Sequence, residues 1–415
     1  MKNFIILLLI IISTSVNAQM GVAKIKYDEA EEAYTAKNYN ICLEKLNEVI
    51  DILKSTNPKV QYLRILCLAN LSEKDPLANF KNLVELNNFC KSYLNDYDNI
   101  PDLEEKYRAV YDITEKFKKY PKNEEEYQNV IELRKRGRIY RYNKDSLNYT
   151  KAKDFFQKAY NSGDLRSLYE LANMYSTGMG EGEIPRSETI ANSYYEILST
   201  NGYPEGMYQI GLNYLFGING YKREELKAYP LLHDAALKNH LPSVTLYGII
   251  EFCSYQIAKT RSNINASELK IRASATESWL LRAEQNGETS SEFYYYMGKA
   301  YLFGIMKGAP DQIKAISYFQ KSADLGNKKG QNALGYSYFV GWGGLGINTE
   351  KASYYFKLAA DQFLAAAEYN MSTLYGGAIG HIKDKKIAKY WLDRYVVNPQ
   401  KSVDDSPSNN TNEMF

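Results

Sequence analysis

The chain has 415 residues and a formal net charge of +2 at pH 7, because 51 Lys and Arg nearly balance 49 Asp and Glu. This balance argues against a generally basic nucleic-acid binder, and the length suits two or three ordinary domains or one long solenoid. The four cysteines are too few for a disulfide-built scaffold and form no C-x-x-C pair.

The first residues predict a secretory signal peptide at 1–18. Lys2 gives a short basic start, Phe4 to Ile12 form an unbroken apolar run, and “VNA” ending at Ala18 is a small-residue cleavage site. The apolar run is too short for a stop-transfer helix, and no later stretch approaches 18 apolar residues. We therefore expect an exported protein, periplasmic or secreted, without a membrane span after signal cleavage.

Residues 19–120 predict a tetratricopeptide-like helical region. The stretch “YDEAEEAYTAKNYNICLEKLNEVIDILKSTNP” carries the small residues Ala30 and Ala33, a loop at Lys37, and an amphipathic helix that ends near Pro58. Three cysteines lie on predicted neighbouring helices of this region. One disulfide bridge among them and buried free thiols are both compatible with the sequence; the cysteines are Cys42, Cys67 and Cys90.

A charged segment, “KFKKYPKNEEEY”, joins this region to the rest of the chain: Pro121 ends one helix, and the glutamates suit the first turn of the next. The dense basic stretch “LRKRGRIYRYNK” follows at 133–144. Its Arg134, Arg138 and Arg141 share one helical face. Because the signal peptide argues against RNA binding, this face indicates either an anionic partner outside the cytoplasm or a solvated surface.

From about residue 130 a pattern of Gly, two residues, Tyr, two residues and Gly recurs. It is clear in “IGLNYLFG”, “MGKAYLFG” and “LGYSYFVG”. We expect each anchor glycine to be a close contact between the first helices of neighbouring units. A period in the mid-thirties with two helices in each unit is the signature of a helical solenoid. The seven anchors are Gly137, Ala172, Gly211, Gly248, Gly298, Gly335 and Met371.

These residues resemble the Sel-one-like repeat family, whose pattern is Leu-Gly-x-x-Tyr-x-x-Gly, a loop, Lys-Ala, an aromatic pair, then Lys-Ala-Ala and Gly. The stretches 295–326 and 334–360 match it closely. The resemblance implies an all-α, right-handed αα-hairpin solenoid over 121–397, with about seven units, that mediates protein–protein interaction. The longer interhelical stretch at 249–275 predicts an irregular fourth unit. The tail, 398–415, has almost nothing to bury and should be disordered.

Two patterns could indicate other chemistry. Gly341, Gly343 and Gly346 have the G-x-G-x-x-G spacing of a dinucleotide loop, but “KKGQNALGYSYF” before them is helical in pattern, so they predict a helix–loop–helix connection. The aromatic pairs could form a sugar- or base-stacking platform, but their fixed phase favours interhelical packing. These pairs are Tyr194-Tyr195, Tyr318-Phe319 and Tyr354-Tyr355.

The histidines, His233, His240 and His381, lie in no metal-binding pattern. We predict no metal, no cofactor and no catalytic residues. The expected function is that of an exported, non-catalytic scaffold that binds another protein through its concave face, with an anionic envelope component as a second partner class. The alternative is a cell-envelope hydrolase or a carbohydrate-binding protein built on a helical solenoid.

A further set of positions is not explained by packing. With the anchor as position 0 and about 100° per residue, positions −1, 0 and +3 share the packing arc, whereas −3 and +1 lie on a separate face. In this solenoid class the face should line the concave surface. In the seven units, the residues at positions −3 and +1 of this face are Arg134/Arg138, Tyr169/Asn173, Tyr208/Leu212, Thr245/Ile249, Tyr295/Lys299, Asn332/Tyr336 and Glu368/Ser372.

Tyrosine and arginine are enriched at binding hot spots, so this face predicts a recognition strip, although solvated variable positions would read the same way. The predicted partner-binding residues are Arg134, Arg138, Tyr169, Asn173, Tyr208, Tyr295, Lys299, Asn332 and Tyr336.

Overall fold

A computed structural model describes residues 2–261, 265–377 and 383–399, with side chains from Gln19 onward. Within these residues the chain forms nineteen α-helices joined by short loops, and an isolated β-bridge pairs Met179 with Ile184. The fold is an all-α αα-hairpin solenoid, as the sequence predicts. It divides into two compact units, Met1–Arg223 and Glu224–Phe415.

The first unit contains ten helices. They are α1 (Lys2–Thr35), α2 (Tyr39–Leu53), α3 (Pro58–Ser72), α4 (Phe80–Asp96), α5 (Glu104–Phe117), α6 (Glu124–Tyr142), α7 (Tyr149–Asn161), α8 (Leu165–Thr177), α9 (Glu188–Thr200) and α10 (Pro204–Phe216).

The second unit contains nine helices within the described residues. They are α11 (Glu225–Leu237), α12 (Leu241–Lys259), α13 (Ala266–Gln285), α14 (Ser291–Leu302), α15 (Gln312–Asp324), α16 (Lys328–Val340), α17 (Thr349–Asp361), α18 (Ala365–Tyr375) and α19 (Lys385–Val397).

At Gly137, Gly298 and Gly335 the anchor glycine makes room for an aromatic side chain from the second helix of its own hairpin. A Cβ atom on Gly137 would lie 2.6 Å from the ring of Phe156, and one on Gly298 would lie 2.5 Å from the ring of Phe319. The expectation that the anchors join first helices of neighbouring units is therefore wrong at these positions. The sequence correctly placed the anchor glycines on a packing face of their helices. The helix that they contact, however, is the one that follows directly in the chain.

The second residue of each aromatic pair fills the space at the anchor glycine, and the first residue packs against the tyrosine three residues after the anchor. Tyr301 stacks on Tyr318 with ring centroids 5.5 Å apart, and Lys314 lies 5.2 Å from the Tyr301 ring centroid on the same hairpin. The carbonyl of Tyr301 also accepts a hydrogen bond from the backbone N–H of Asp311, whose side chain caps α15. Each repeat tyrosine of this kind thus joins the end of one helix to the start of the next.

The same arrangement recurs along the chain. Tyr140 stacks on Phe155 at 5.6 Å and Tyr338 stacks on Tyr355 at 6.0 Å. The prediction that the aromatic pairs pack between helices is correct for Tyr195 and Phe319, which are buried. It is wrong for Tyr354, which is exposed. In α17 the two aromatic residues that pack against α16 are Tyr355 and Phe356, one position later than predicted.

The glycine-rich stretch is a helix–loop–helix connection, as predicted. Gly341 ends α16 with φ +75°, in the left-handed region that a side chain would disfavour. Gly343 follows with φ +55°, and a Cβ there would lie 2.6 Å from Ile316 of the preceding repeat. Because helices flank the loop on both sides, the strand that a dinucleotide site needs is missing here.

The predicted irregular stretch at 249–275 consists mostly of lengthened helices rather than a long interhelical loop. Helix α12 continues to Lys259 and α13 begins at Ala266, so these two helices have 19 and 20 residues. Most other helices of the repeat region have about 13. Sequence patterning therefore located the irregularity but misjudged its form.

The predicted N-terminal helices and the Pro121 break are present. Helix α1 ends at Thr35, Lys37 turns the chain with φ +60°, and Asn123 caps α6 just after the break. No helix in the part of the chain with described side chains is long and apolar enough to cross a membrane. The predicted signal peptide, 1–18, lies outside that part, and so does the predicted disordered tail from residue 400 onward.

Candidate protein-binding surface

The two rows of the predicted strip differ in burial. Every +1 side chain keeps some exposure to solvent; these are Arg138, Asn173, Leu212, Ile249, Lys299, Tyr336 and Ser372. In the second unit every −3 side chain is buried; these are Thr245, Tyr295, Asn332 and Glu368. In the first unit Arg134, Tyr169 and Tyr208 are half-buried.

The prediction that Tyr295 and Asn332 form an exposed surface is wrong. Tyr295 is 4% exposed and Asn332 is fully buried. The Asn332 Oδ1 accepts a hydrogen bond of 2.9 Å from Asn370 Nδ2 on the first helix of the next repeat. The −3 position is therefore an inter-repeat contact, where a polar side chain is buried because its hydrogen bond is made inside the fold.

The arginines of the basic stretch are paired with acids of the next repeat. Arg134 contacts Asp164 at 2.6 Å, and Glu170 accepts from Arg138 at 2.8 Å and from Arg141 at 2.5 Å. The Arg134 and Arg141 side chains are only 15% and 7% exposed, whereas Arg138 is 63% exposed. Most of the charge predicted for an anionic partner is thus compensated within the protein, and Arg138 alone of the three offers an open guanidinium face.

A second basic cluster, which sequence reasoning missed, lies in the second unit. Lys299 Nζ lies 5.6 Å from the ring centroid of Tyr295 and 5.4 Å from that of Phe303. Lys259 Nζ lies 5.6 Å from the Phe303 centroid, and Lys329 Nζ lies 5.8 Å from the Tyr295 centroid. Three first helices, α12, α14 and α16, therefore bring their ammonium groups around shared aromatic rings.

We call this set the lysine–aromatic patch and define it as Lys259, Lys299, Lys329, Tyr296 and Phe303. Lys259 is exposed and the other four are half-buried. Burial raises the pKa of the Tyr296 phenol well above its usual value, and the phenol is hydrogen-bonded to the Cys253 side chain. Glu292 is the acidic residue that acts on this phenol and on the nearby Cys253 thiol.

The sequence contained a weak signal for this patch. Lys299 stands at a +1 position, but Lys259 and Lys329 lie at other positions of their helices and do not follow the repeat phase. Long side chains on adjacent helices converge in space without sharing a register, so the repeat alignment could not group them.

The buried carboxylates are structural. Asp164, Glu170 and Glu368 are each paired with arginine, and Glu368 receives Arg394 at 2.9 Å. His240 contacts the Ser243 hydroxyl at 2.8 Å, and burial lowers its pKa to about 4. Over the described residues, no three His, Cys, Asp or Glu side chains group to hold a metal ion; His381 lies outside them. The described geometry favours binding over acid–base chemistry.

Comparison with known protein families decides what kind of chain this is. Six segments match the Sel1 repeat, at 141–164, 165–203, 204–240, 291–327, 328–362 and 365–394. The chain belongs to the Sel1-repeat family. Sel1-repeat proteins are scaffolds that typically mediate protein–protein interaction, and the predicted resemblance is confirmed. The matched segments leave α12 and α13 between them, where the helices are longest in the second unit.

A curated relative is the ERAD-associated E3 ubiquitin-protein ligase component HRD3B of Arabidopsis thaliana. It is 26% identical to this Sel1-repeat chain over 232 residues, which are 55% of the chain and 35% of the relative. The Sel1-repeat chain thus spans about a third of that protein's length.

Two solved structures are similar in fold. A Sel1 repeat protein from Oxalobacter formigenes is 23% identical, with a TM-score of 0.45, covering 65% of this chain and 99% of that one. The protective antigen c5321 of uropathogenic Escherichia coli strains, which displays an SLR fold, is 16% identical, with a TM-score of 0.45, covering 93% of this chain and 86% of that one.

Proposed function

We propose that this Sel1-repeat chain is an exported, non-catalytic scaffold that holds a protein partner through an acidic segment bound at the lysine–aromatic patch. The observation that carries the proposal is that Lys259 and Lys299 converge on the Phe303 ring while Lys329 lies over the Tyr296 ring. The patch lies on first helices, the elements that line the concave binding surface in solenoids of this kind.

The chemistry of the patch suits carboxylates on a flexible protein segment. Aromatic rings hold the lysine stems in place, so less side-chain entropy is lost when the ammonium groups bind an anion. Ammonium groups near a ring face are also partly desolvated, which strengthens their attraction to a carboxylate. An acidic segment that also carries an apolar or aromatic side chain would contact both the ammonium groups and the aromatic rings of the patch.

Export is supported by the signal-like start, residues 1–18, and a non-catalytic role by the arginine pairing of the buried carboxylates Asp164, Glu170 and Glu368. Each of these carboxylates is already engaged by an arginine within the fold. No observation on the described residues favours the hydrolase or carbohydrate-binding alternative.

The test is partner capture with the mature protein from Gln19, immobilised and exposed to the periplasmic or secreted fraction. Lys299→Glu with Lys329→Glu should abolish capture, and capture by the wild type should weaken steeply as salt is raised. The matched control is Lys357→Glu with Lys389→Glu, which makes the same charge change at exposed lysines of second helices. This control should capture like the wild type.

An equal loss of capture in both double variants would show a general charge effect and would contradict binding at the lysine–aromatic patch. Capture of an anionic polysaccharide, with no protein that survives stringent washing, would overturn the protein partner. Cell fractionation with N-terminal sequencing tests export independently: an uncleaved chain confined to the cytoplasm would contradict it.

A further inference from the structure

Two buried cysteines of the N-terminal helices lie in direct contact. Cys42 on α2 and Cys67 on α3 are both fully buried, and their Sγ atoms are 3.0 Å apart although 25 residues separate them in the chain. They share a core cluster with Ala30, Leu46 and Leu63. The contact goes beyond the proposed scaffold function, because it lies far along the chain from the lysine–aromatic patch.

The surroundings of Cys42 and Cys67 argue against a metal site at this pair. A metal site needs three or four ligands, and the described residues contain no third His, Cys, Asp or Glu grouped with these two. The remaining cysteines are not part of the contact. Cys90 belongs to a different core cluster, where burial raises its pKa to about 11, and Cys253 is exposed in the second unit.

The two thiols are not equivalent. The hydrogen bond from Cys67 and the nearby Arg64 guanidinium hold the pKa of Cys42 below its usual value despite burial. The same contact and burial raise the pKa of Cys67. Because the thiolate is the nucleophile in thiol–disulfide exchange, Cys42 is placed to react first and Cys67 to complete the reaction.

We propose that Cys42 and Cys67 form an intramolecular disulfide that staples α2 to α3 when the protein meets a small-molecule or protein disulfide. With glutathione disulfide, the Cys42 thiolate attacks one sulfur, forms a mixed disulfide and releases one glutathione thiolate. Cys67 then loses its proton and attacks Cys42 Sγ, which releases the second glutathione. The two protein thiols lose two electrons and two protons, and the glutathione disulfide is reduced to two thiols.

The geometry needs little adjustment. A disulfide bond is about 2.0 Å long, so the sulfur atoms must approach by roughly 1 Å, which a rotation about the two Cα–Cβ bonds can supply. Both sulfurs are buried, so the oxidant reaches Cys42 only when α1 opens away from α2 and α3. Oxidation should therefore be slow in the folded protein and fast in mild denaturant, and the bond formed should then restrict the unfolded chain.

The experiment uses the full mature chain. It is incubated with glutathione disulfide, alkylated with iodoacetamide in guanidinium, and mapped by peptide mass spectrometry. We expect alkylation at Cys90 and Cys253 alone, one peptide pair joined through Cys42 and Cys67 that lacks two hydrogen atoms, and a melting temperature that rises on oxidation and returns with dithiothreitol. Cys90→Ser should behave in the same way.

Cys42→Ala should leave three alkylated thiols and remove the oxidation-dependent rise in melting temperature. If that variant fails to fold, the wild-type peptide map still decides. Alkylation of all four cysteines after oxidation, a bridge that involves Cys90, or a stable mixed disulfide at Cys42 that Cys67 does not resolve would each overturn the proposal.

Discussion

A Cβ atom on Gly335 would lie 2.8 Å from Cδ1 of Phe356 and 3.2 Å from the carbonyl oxygen of Ala352. The anchor glycine of α16 is thus a seat for a ring of α17, and the ring fills the space that a side chain would occupy. The same seat occurs at Gly137 and Gly298, so the repeat signature records a packing requirement between the two helices of a hairpin.

Replacement of Gly335 by valine should therefore destabilise the fold. The added methyl groups overpack a fully buried ring, which costs roughly 1–3 kcal/mol of unfolding free energy. The matched control is Gly21→Val in α1, where a Cβ meets nothing within 4 Å. Urea denaturation of both variants measures the difference. Equal urea midpoints for the two variants would show that Gly335 is not in close contact with Phe356.

The loop glycines should matter for stability and not for nucleotide binding. Gly343 and Gly344 have φ of +55° and +82°, so alanine at both positions adds backbone strain of roughly 1–3 kcal/mol each. We expect a lower melting temperature and, in wild type and variant alike, no shift on adding NAD. Saturable stabilisation of the wild type by NAD, lost in the variant, would restore the dinucleotide interpretation.

The repeat fold was predictable because its determinants are local. Gly335 contacts Phe356 and Tyr338 stacks on Tyr355, so both contacts join residues of a single repeat, and the period of these residue types is visible in the sequence. The pairing of Arg134 with Asp164 and of Arg141 with Glu170 was not predictable, because each joins side chains about 30 residues apart with no local pattern.

Glu170 should therefore be worth more to stability than an exposed glutamate of the same region. Glu170→Ala leaves the buried Arg141 without its carboxylate, and breaking such a pair costs about 3–5 kcal/mol. The control is Glu132→Ala, which breaks the exposed pair with Arg136 and should cost about 0–1 kcal/mol. Urea midpoints compare the two. A Glu170 variant as stable as the Glu132 variant would contradict the structural role of the cluster.

The tyrosines of the predicted strip should separate into two groups. Tyr295→Ala removes a buried ring and should cost about 3–5 kcal/mol. Tyr169→Ala acts on a half-buried residue and should cost roughly 1 kcal/mol. Thermal melts distinguish them before any binding assay. If the two variants melt together near the wild type, Tyr295 belongs to the surface and the burial of the −3 row is refuted.

The strip could be predicted only in part because residue type is a poor guide to burial at an inter-repeat contact. Asn332 reads as a surface residue, yet its hydrogen bond to Asn370 allows it to be fully buried. The helical phase correctly separated +1 from the packing arc. It could not show that −3 turns towards the next repeat, since that depends on how closely successive hairpins approach.

Burial of His240 should make the protein less stable in mild acid. Its folded pKa of about 4 lies below the ordinary value of 6.5, so the folded state favours the neutral ring. The contribution is fully present above pH 6.5 and is lost as pH falls towards 4, because the unfolded chain binds the proton first.

His240→Gln removes this titration while keeping a polar side chain beside the Ser243 hydroxyl. The difference in unfolding free energy between wild type and variant should therefore shrink as pH falls from 7 to 4, measured by urea denaturation at each pH. Subtraction is needed because carboxylates titrate in the same range in both proteins. A wild type and His240 variant that differ by a constant amount from pH 7 to 4 would show that the ring titrates alike in both states.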